Sequence, residues 1–234
     1  MKWKKKYQYP SSSRSVINGS RHYTLNNQIL VSVSSVLKMT KSESEKASLK
    51  AWQDRIGFKE SLRIKNEAAQ RGTEMHSLIE NFLLGRSNLN LFEQEKEKSH
   101  PQKMADLIIS EGLKNKLSEI NGVECVLHYP RPKGFAGTSD LIGIWDNTPS
   151  VIDFKQKNSI MKESYDSLQT YFIQLGAYSL AHNTVYGSSI TQGVILLATT
   201  DLVFQVFRIN NEKLIEYQNK FLDKVEQYYS IINK

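Results

Sequence analysis

Two apolar strands that form a hairpin constrain the fold of this chain more than any other feature. The first strand is predicted at 135–145 and the second at 150–154, and the turn-forming residues 146–149 join them. A two-strand hairpin brings opposite positions of its strands together, so we expect Asp140 of the first strand to lie close to Asp153 of the second. The period-2 alternation of a strand also places Asp153 and Lys155 on one face.

The rest of the chain changes from helical to strand-like periodicity near residue 121. The first part contains a small hairpin at 21–31 and four helices, of which the first starts near Ser34 or Ser35, the second follows Ser42, and the others span 59–84 and 101–120. A loop is predicted at 85–100. The second part adds strands at 123–129, 190–198 and 202–209 and helices at 165–182 and 210–232. This order predicts an α/β fold, with a mixed central sheet flanked by helices and an N-terminal helical layer.

We expect one compact domain preceded by a basic, flexible tail at 1–20. Four of the first six residues are lysines, which repel one another, and residues 10–13 offer little apolar surface to bury. A basic arm that grips phosphates is the alternative for this tail. Residues 21–120 form the hairpin and helical layer that carries His76, and residues 121–234 form the core.

Composition excludes several classes of protein and leaves the partner open. The chain has 31 basic and 24 acidic residues, and this excess of +7 favours a polyanionic partner only mildly. No apolar stretch approaches the roughly 18 residues of a membrane span, so no membrane partner is expected. The single cysteine, Cys125, excludes an internal disulfide and an iron–sulfur cluster held by four cysteines of one chain. A reducing cytoplasm is the expected compartment.

The pattern of Asp140, Asp153 and Lys155 indicates metal chemistry. Two carboxylates and one ammonium on one face of a sheet are costly to bury for structural reasons alone. Carboxylate oxygens suit Mg²⁺ or Mn²⁺, and a lysine beside them can hold or activate a water next to a phosphate. The alternative is an ordinary Asp–Lys surface pair at a solvated strand end, since an acid-x-Lys triplet is common by chance.

Two helices contribute further candidates. His76 and Glu80 share a helix face, with Thr73 three residues before the histidine, and a neutral imidazole can complete the shell of a divalent cation. A histidine satisfied by its own helix environment is the alternative. Gln174 and Tyr178 lie one turn apart, where the tyrosine could stack on a base or pack against the sheet.

In this order, the motifs resemble the PD-(D/E)XK nuclease superfamily, specifically its RecB-like branch. Within that branch they are similar to the mitochondrial genome maintenance exonuclease family and its phage relatives. Five blocks match over about 21–200: Val-Ser-Ser-Val-Leu at 33–37 after Arg-x-Tyr, a Trp-containing helix at 49–57, Arg-Gly-Thr-x-x-His-x-x-x-Glu at 71–80, the two strands with Asp140 and Asp153, and Gln-Leu-x-Ala-Tyr at 174–178. The chain departs from the family at Gln156-Lys157, where Thr-Ser is frequent, and in the Val-Ser-Val-Ser before the first helix.

The resemblance implies the restriction-endonuclease-like core and a set of site residues. His76, Asp140, Asp153 and the backbone carbonyl of Phe154 would bind Mg²⁺, for which Mn²⁺ would substitute, and Lys155 would position or deprotonate the attacking water. Glu124 would reach the site or a second metal, or else face the surface at the sheet edge, and Glu80 would orient a neighbour. The implied contacts to DNA come from Arg71, Thr73, Gln174 and Tyr178.

The implied function is metal-dependent hydrolysis of single-stranded DNA from a free end. An endonuclease of the same superfamily and a non-catalytic DNA-binding module on this fold are the rival interpretations, and an unrelated α/β protein with coincidental motifs is the third. We expect a monomer. Because no convincing transit peptide precedes the motifs, a phage or bacterial cytoplasm is favoured over a mitochondrion.

Overall fold

The computed structural model describes residues 1–86, 98–130 and 132–232. Most of the loop predicted at 85–100 lies outside the described residues. The strands are β1 (Lys2–Trp3), β2 (Ser13–Ile17), β3 (Ser20–Leu25), β4 (Gln28–Ser32), β5 (Leu117–Tyr129), β6 (Phe135–Trp145), β7 (Thr148–Lys157), β8 (Gln192–Thr199) and β9 (Phe204–Ile209). The helices are α1 (Val33–Met39), α2 (Glu43–Ile56), α3 (Phe58–Leu83), α4 (His100–Leu107), α5 (Asp166–Tyr186) and α6 (Asn211–Ile232), and a π-helical segment at Ile108–Leu113 continues α4.

The nine strands of the described part belong to one mixed sheet. Its main path runs β2-β3-β4-β6-β7-β8-β9, and β5 pairs with the free side of β6 and with β1. The β4–β6, β7–β8 and β1–β5 pairs are parallel, and the others are antiparallel. Helices α1, α5 and α6 pack on one face of the sheet, and α3, α4 and the π-helical segment pack on the other. This confirms the predicted α/β class with a central mixed sheet between helices.

Local sequence signals explain most element boundaries. Ser32, Ser42 and Ser99 cap α1, α2 and α4 by accepting a backbone N–H two or three residues into each helix, and Ser42 and Ser99 form full capping boxes. The β3–β4 and β6–β7 hairpins each turn on two residues in the left-handed region, Asn26-Asn27 and Asp146-Asn147. No helix of the described residues has both the length and the apolar character needed to cross a membrane.

The N-terminal segment differs from the flexible tail predicted at 1–20. Strand β1 pairs with β5, and β2 pairs with β3 along its whole length. The indole N–H of Trp3 donates to the carbonyl of Leu83, and the hydroxyl of Tyr9 hydrogen-bonds the ring of His182. The prediction weighed the repulsion between lysines, whereas Tyr9, which follows them, is partly buried and packs against the core.

The helix predicted to reach residue 120 ends earlier. Helix α4 ends at Leu107, the π-helical segment ends at Leu113, and Asn115 adopts a left-handed backbone with φ of 66°. Strand β5 then begins at Leu117. A Cβ atom at Gly112 would lie 2.9 Å from Cδ1 of Leu196, so a larger residue in this segment would force Leu196 on β8 to shift.

An opening lies in the middle of the sheet, because β4 and β7 pair with different ends of β6 on the same side. Strand β5 covers one side of β6 throughout. On the other side, β4 pairs with β6 only at Phe135 and Ala136, and β7 pairs with it only from Leu141 onwards. Residues 137–140 are therefore left without a ladder partner on that side, and Asp140 lies at the point where β7 leaves β6.

Candidate active site

A cavity of about 550 Å³ lies at this opening, between the sheet, α3 and the β2–β3 hairpin. It collects most of the residues singled out in the sequence, although they come from five different elements. Those that line it are Thr73, His76, Glu80, Glu124, Asp140, Asp153, Lys155, Gln174 and Tyr178. Convergent titratable groups in a cavity of this size are typical of a binding or catalytic site.

Asp140 and His76 are held in place by the backbone of Phe154. The backbone N–H of Phe154 donates to Oδ2 of Asp140 over 2.7 Å, and its carbonyl oxygen accepts from Nε2 of His76 over 2.9 Å. The second ring nitrogen of His76, Nδ1, lies 3.5 Å from Oδ2 of Asp140. Where β7 diverges from β6, the backbone N–H of Phe154 has no ladder partner on β6, and the carboxylate of Asp140 accepts from it instead. This hydrogen bond fixes the orientation of the Asp140 side chain.

Asp153 and Lys155 form a second, nearly enclosed pair. Asp153 is only 2% exposed, and its carboxylate makes an ion pair with the ammonium of Lys155. The amide of Gln174 lies 3.4 Å from the other carboxylate oxygen. Burial opposes the charged form of Lys155, but Asp153 and Asp140 outweigh it, and the pKa of Lys155 is raised. Lys155 is therefore an ammonium at neutral pH.

Glu124 belongs to the cavity and not to the outer edge of the sheet. Glu124 on β5 lies opposite Asp140 on β6, because the residues on either side of them form the pairs Val123–Leu141 and Cys125–Ser139. Its backbone is left-handed, with φ of 46°, a conformation that costs a non-glycine residue free energy and clusters at functional sites. Burial and the neighbouring carboxylates of Asp140 and Glu80 raise the pKa of Glu124 to about 8.

The donor set fits a divalent cation. One ligand atom each from His76, Glu124 and Asp140 can be chosen so that all three lie within 4.8 Å of one another. Because His76 donates Nε2–H to a carbonyl, the neutral form of its ring carries an unprotonated Nδ1 that faces the Asp140 carboxylate, and these two groups can bind one cation together. A backbone carbonyl that accepts the other ring N–H is also the usual support of a metal-binding histidine.

This arrangement differs in part from the predicted ligand set. The carbonyl of Phe154 accepts from His76, and Asp153 pairs with Lys155, so both lie beside the group formed by His76, Asp140 and Glu124. The direct binding of a metal by Phe154 and Asp153 stays a prediction. Glu124, for which the sequence left a surface position open, is brought into the cavity by its strand register, which single-sequence patterns do not specify.

Three residues predicted to contact DNA have other partners in the structure. The ring of Tyr178 is 5% exposed and packs in the core, which is the alternative that the sequence left open, and its stacking on a base stays a prediction. Gln174 donates to the hydroxyl of Tyr178 and approaches Asp153, which makes it a support for that carboxylate. Arg71 is outside the cavity lining and donates to Gln156 and Asn158. Thr73 lines the cavity, and its contact with DNA stays a prediction.

Three residues at or beside the site, Gln156, Arg14 and Arg21, were not predicted from the sequence. Gln156, where the chain departs from the family pattern, accepts from Arg71 and donates to the backbone carbonyl of Ala68. It therefore fastens α3 to β7, the two elements that carry His76 and Asp153. The departure itself was the available signal. Arg14 and Arg21 of the β2–β3 hairpin also line the cavity.

Comparisons with known proteins return only distant similarity. No known protein family and no curated protein sequence matches this chain. A solved structure of a protein from Eubacterium rectale that is provisionally named an exonuclease is 14% identical, with a TM-score of 0.44, and the match covers 68% of this chain and 66% of that one, just under two thirds of its length. The structure of SSO0001 is also 14% identical, with a TM-score of 0.30 and coverage of 43% and 49%. The function is therefore argued from the cavity itself.

The raised pKa values predict an inverse dependence of stability on pH without metal. A carboxyl group whose pKa is raised by folding stabilises the protein below its ordinary pKa, and this contribution is lost as the pH rises through the raised value. Burial and Asp153 raise the pKa of Asp140, and Glu124 titrates near 8. In EDTA, the melting temperature should therefore fall between about pH 6.5 and 8, a window set by these groups. Saturating Mn²⁺ should raise it by roughly 5–10 °C at pH 8 and by less at pH 6.5, where protons compete for the ligands.

Thermal melts of two variants check this assignment. Glu124→Gln should flatten the profile in EDTA, while Glu111→Gln, a change at an exposed glutamate of the π-helical segment, should leave it unchanged. A Mn²⁺ shift of equal size at both pH values would contradict the assignment.

Proposed function

We propose that this protein is a Mg²⁺- or Mn²⁺-dependent deoxyribonuclease of the PD-(D/E)XK superfamily and its RecB-like branch, acting as an exonuclease on single-stranded DNA. The observation that carries the proposal is the meeting of His76, Asp140, Asp153 and Lys155 in one cavity, where β7 diverges from β6. A pair of carboxylates, a histidine and a buried ammonium at one point provide ligands for a hard cation and a positive group for a phosphate.

The residues of the site divide the work of hydrolysis. A bound divalent cation would polarise the phosphate and stabilise the leaving oxygen. Asp140 and His76, both oriented by Phe154, would hold it, with Glu124 opposite. Lys155 would bind the attacking water or a phosphate oxygen and offset the charge of the transition state. Because the pKa of Lys155 is raised, positioning and charge stabilisation are favoured over proton abstraction by this side chain.

The preference for one strand with a free end follows from the resemblance of the motifs. A volume of about 550 Å³ corresponds to a ligand of one or two nucleotides. We further propose a monomer that processes DNA in a reducing cytoplasm during recombination or replication.

End-labelled linear single-stranded DNA and a closed circle of the same sequence test the function together. We expect loss of the linear strand with Mg²⁺ or Mn²⁺, no loss with EDTA, and an intact circle. Asp153→Asn should abolish the activity, whereas Asp201→Asn, a change in the exposed β8–β9 turn, should not. Cutting of the circle would assign the same site to an endonuclease. Binding of both substrates without cutting of either would contradict the enzymatic function and favour a DNA-binding module.

A further inference from the structure

Two arginines of the N-terminal hairpin stand at the rim of the cavity. Arg14 lies on β2 opposite Tyr23, and Arg21 lies on β3 opposite Val16. Opposite residues of an antiparallel pair share a face, and so do residues two apart on one strand, which places both arginines on the same side of the hairpin. Both line the cavity that holds His76 and Asp140.

The hairpin holds these arginines at a fixed position relative to the carboxylates. Tyr23 is buried, and its hydroxyl lies 3.1 Å from that of Thr138, two residues before Asp140 on β6. The guanidinium of Arg14 lies over the ring of Tyr23, 5.8 Å from its centre. The backbone N–H of Arg21 donates to the hydroxyl of Ser35 over 2.7 Å.

Neither guanidinium has an ion-pair partner among the residues that the structure describes. Across residues 1–86, 98–130 and 132–232, Arg14 and Arg21 make no ion pair and no side-chain hydrogen bond, whereas Arg63, Arg71 and Arg208 each donate to side-chain oxygens. Arg14 is near enough to Glu124 to oppose the rise in the pKa of that carboxyl, but it forms no ion pair with it. Five donors of each guanidinium are thus available at the cavity rim.

We propose that Arg14 and Arg21 form a phosphate-binding site for the DNA backbone, which holds the phosphodiester next to the one that is cut. Phosphate oxygens match the planar fork of arginine, and phosphate contacts fix the register of a nucleic acid without reading its sequence. The carboxylates of the cavity repel a phosphate unless a cation is bound between them. Arg14 and Arg21 attract a phosphate directly, because they are positively charged. This inference rests on the proposed nuclease function and adds the residues that position its substrate.

The salt dependence of DNA binding tests the site. Binding of a fluorescent oligothymidylate is measured in EDTA, which prevents cleavage, at a series of NaCl concentrations. Arg14→Ala and Arg21→Ala should each weaken binding roughly tenfold and lower the slope of log K against log salt by about 0.7, the value for one lost phosphate contact on a single strand. Lys114→Ala removes an exposed positive charge that is not part of the cavity lining, and it should leave the slope unchanged.

Hydrolysis assays separate the failure of this inference from the failure of the nuclease function. Bis(p-nitrophenyl) phosphate reports on the metal site without a DNA backbone, so both arginine variants should lose much less activity on it than on DNA, while Lys114→Ala should hydrolyse both substrates like the wild type. Two results would overturn the phosphate site: salt slopes in the arginine variants that equal the wild-type slope, or a loss of activity on this small substrate as large as the loss on DNA. Absence of hydrolysis of any DNA by the wild type would instead overturn the nuclease function.

Discussion

Replacing Lys155 by alanine should lower the rate of DNA hydrolysis by about 10³-fold while metal binding is retained. The ammonium is buried and pairs with Asp153, whereas the candidate metal ligands are His76, Glu124 and Asp140. Its removal takes away the positive charge next to the reacting phosphate, but it also removes a repulsion on the incoming cation. Single-turnover cleavage of end-labelled DNA measures the loss, and the Mn²⁺-induced rise in melting temperature measures the metal.

The same strand offers a matched control for this variant. The ammonium of Lys157 lies over the ring of Tyr171, as that of Lys155 does, but Lys157 is not part of the cavity lining. Lys157 is half-buried and outside the cavity lining, so Lys157→Ala should change the rate less than about threefold. If alanine at 155 leaves Asp153 unpaired and lowers the melting temperature, Lys155→Gln keeps a hydrogen-bond donor and should still lose the activity. A Lys155→Gln protein that cuts DNA at the wild-type rate would contradict the catalytic role.

The features that the sequence predicts best are those encoded by neighbouring residues. Strand β6 was expected at 135–145 and is observed at Phe135–Trp145, because an apolar run ends directly at the left-handed Asp146-Asn147 turn. The grouping of Asp140, Asp153 and Lys155 follows from that hairpin. The addition of His76 followed from the order of the motifs that the resemblance supplied.

The features that the sequence did not predict depend on pairing between distant residues. Strand β1 exists because β5 accepts it as a parallel neighbour, and β2 lines the cavity because it continues the sheet beyond β3. Neither pairing leaves a periodic pattern in residues 1–20. The inward position of Glu124 similarly depends on its register with Asp140 and on a left-handed backbone that glutamate rarely adopts. Local propensity could not show either one.

Replacing Gly176 by alanine should cause a large loss of stability. Gly176 lies inside α5, where a methyl group would come within 2.6 Å of the carbonyl carbon of Tyr217 and 2.7 Å of the backbone nitrogen of Gln218 on α6. Backbone atoms of a packed helix cannot rotate away as a side chain would, so α5 and α6 must separate. Such overpacking costs about 1–3 kcal/mol, which corresponds to a fall of roughly 3–10 °C in melting temperature.

Gly72 provides the same substitution in another helix with the opposite expectation. Gly72 lies inside α3, and the nearest atoms to an added methyl group are the side-chain nitrogen and Cγ of Gln156 at 3.7 and 3.8 Å, an ordinary contact. Alanine at 72 should therefore raise the free energy of unfolding by up to about 1 kcal/mol, because alanine favours the helix over glycine. Calorimetry of both variants in EDTA compares them directly. Equal melting temperatures would show that α6 does not pack against α5 as closely as described, and that the destabilisation expected at Gly176 has no steric basis.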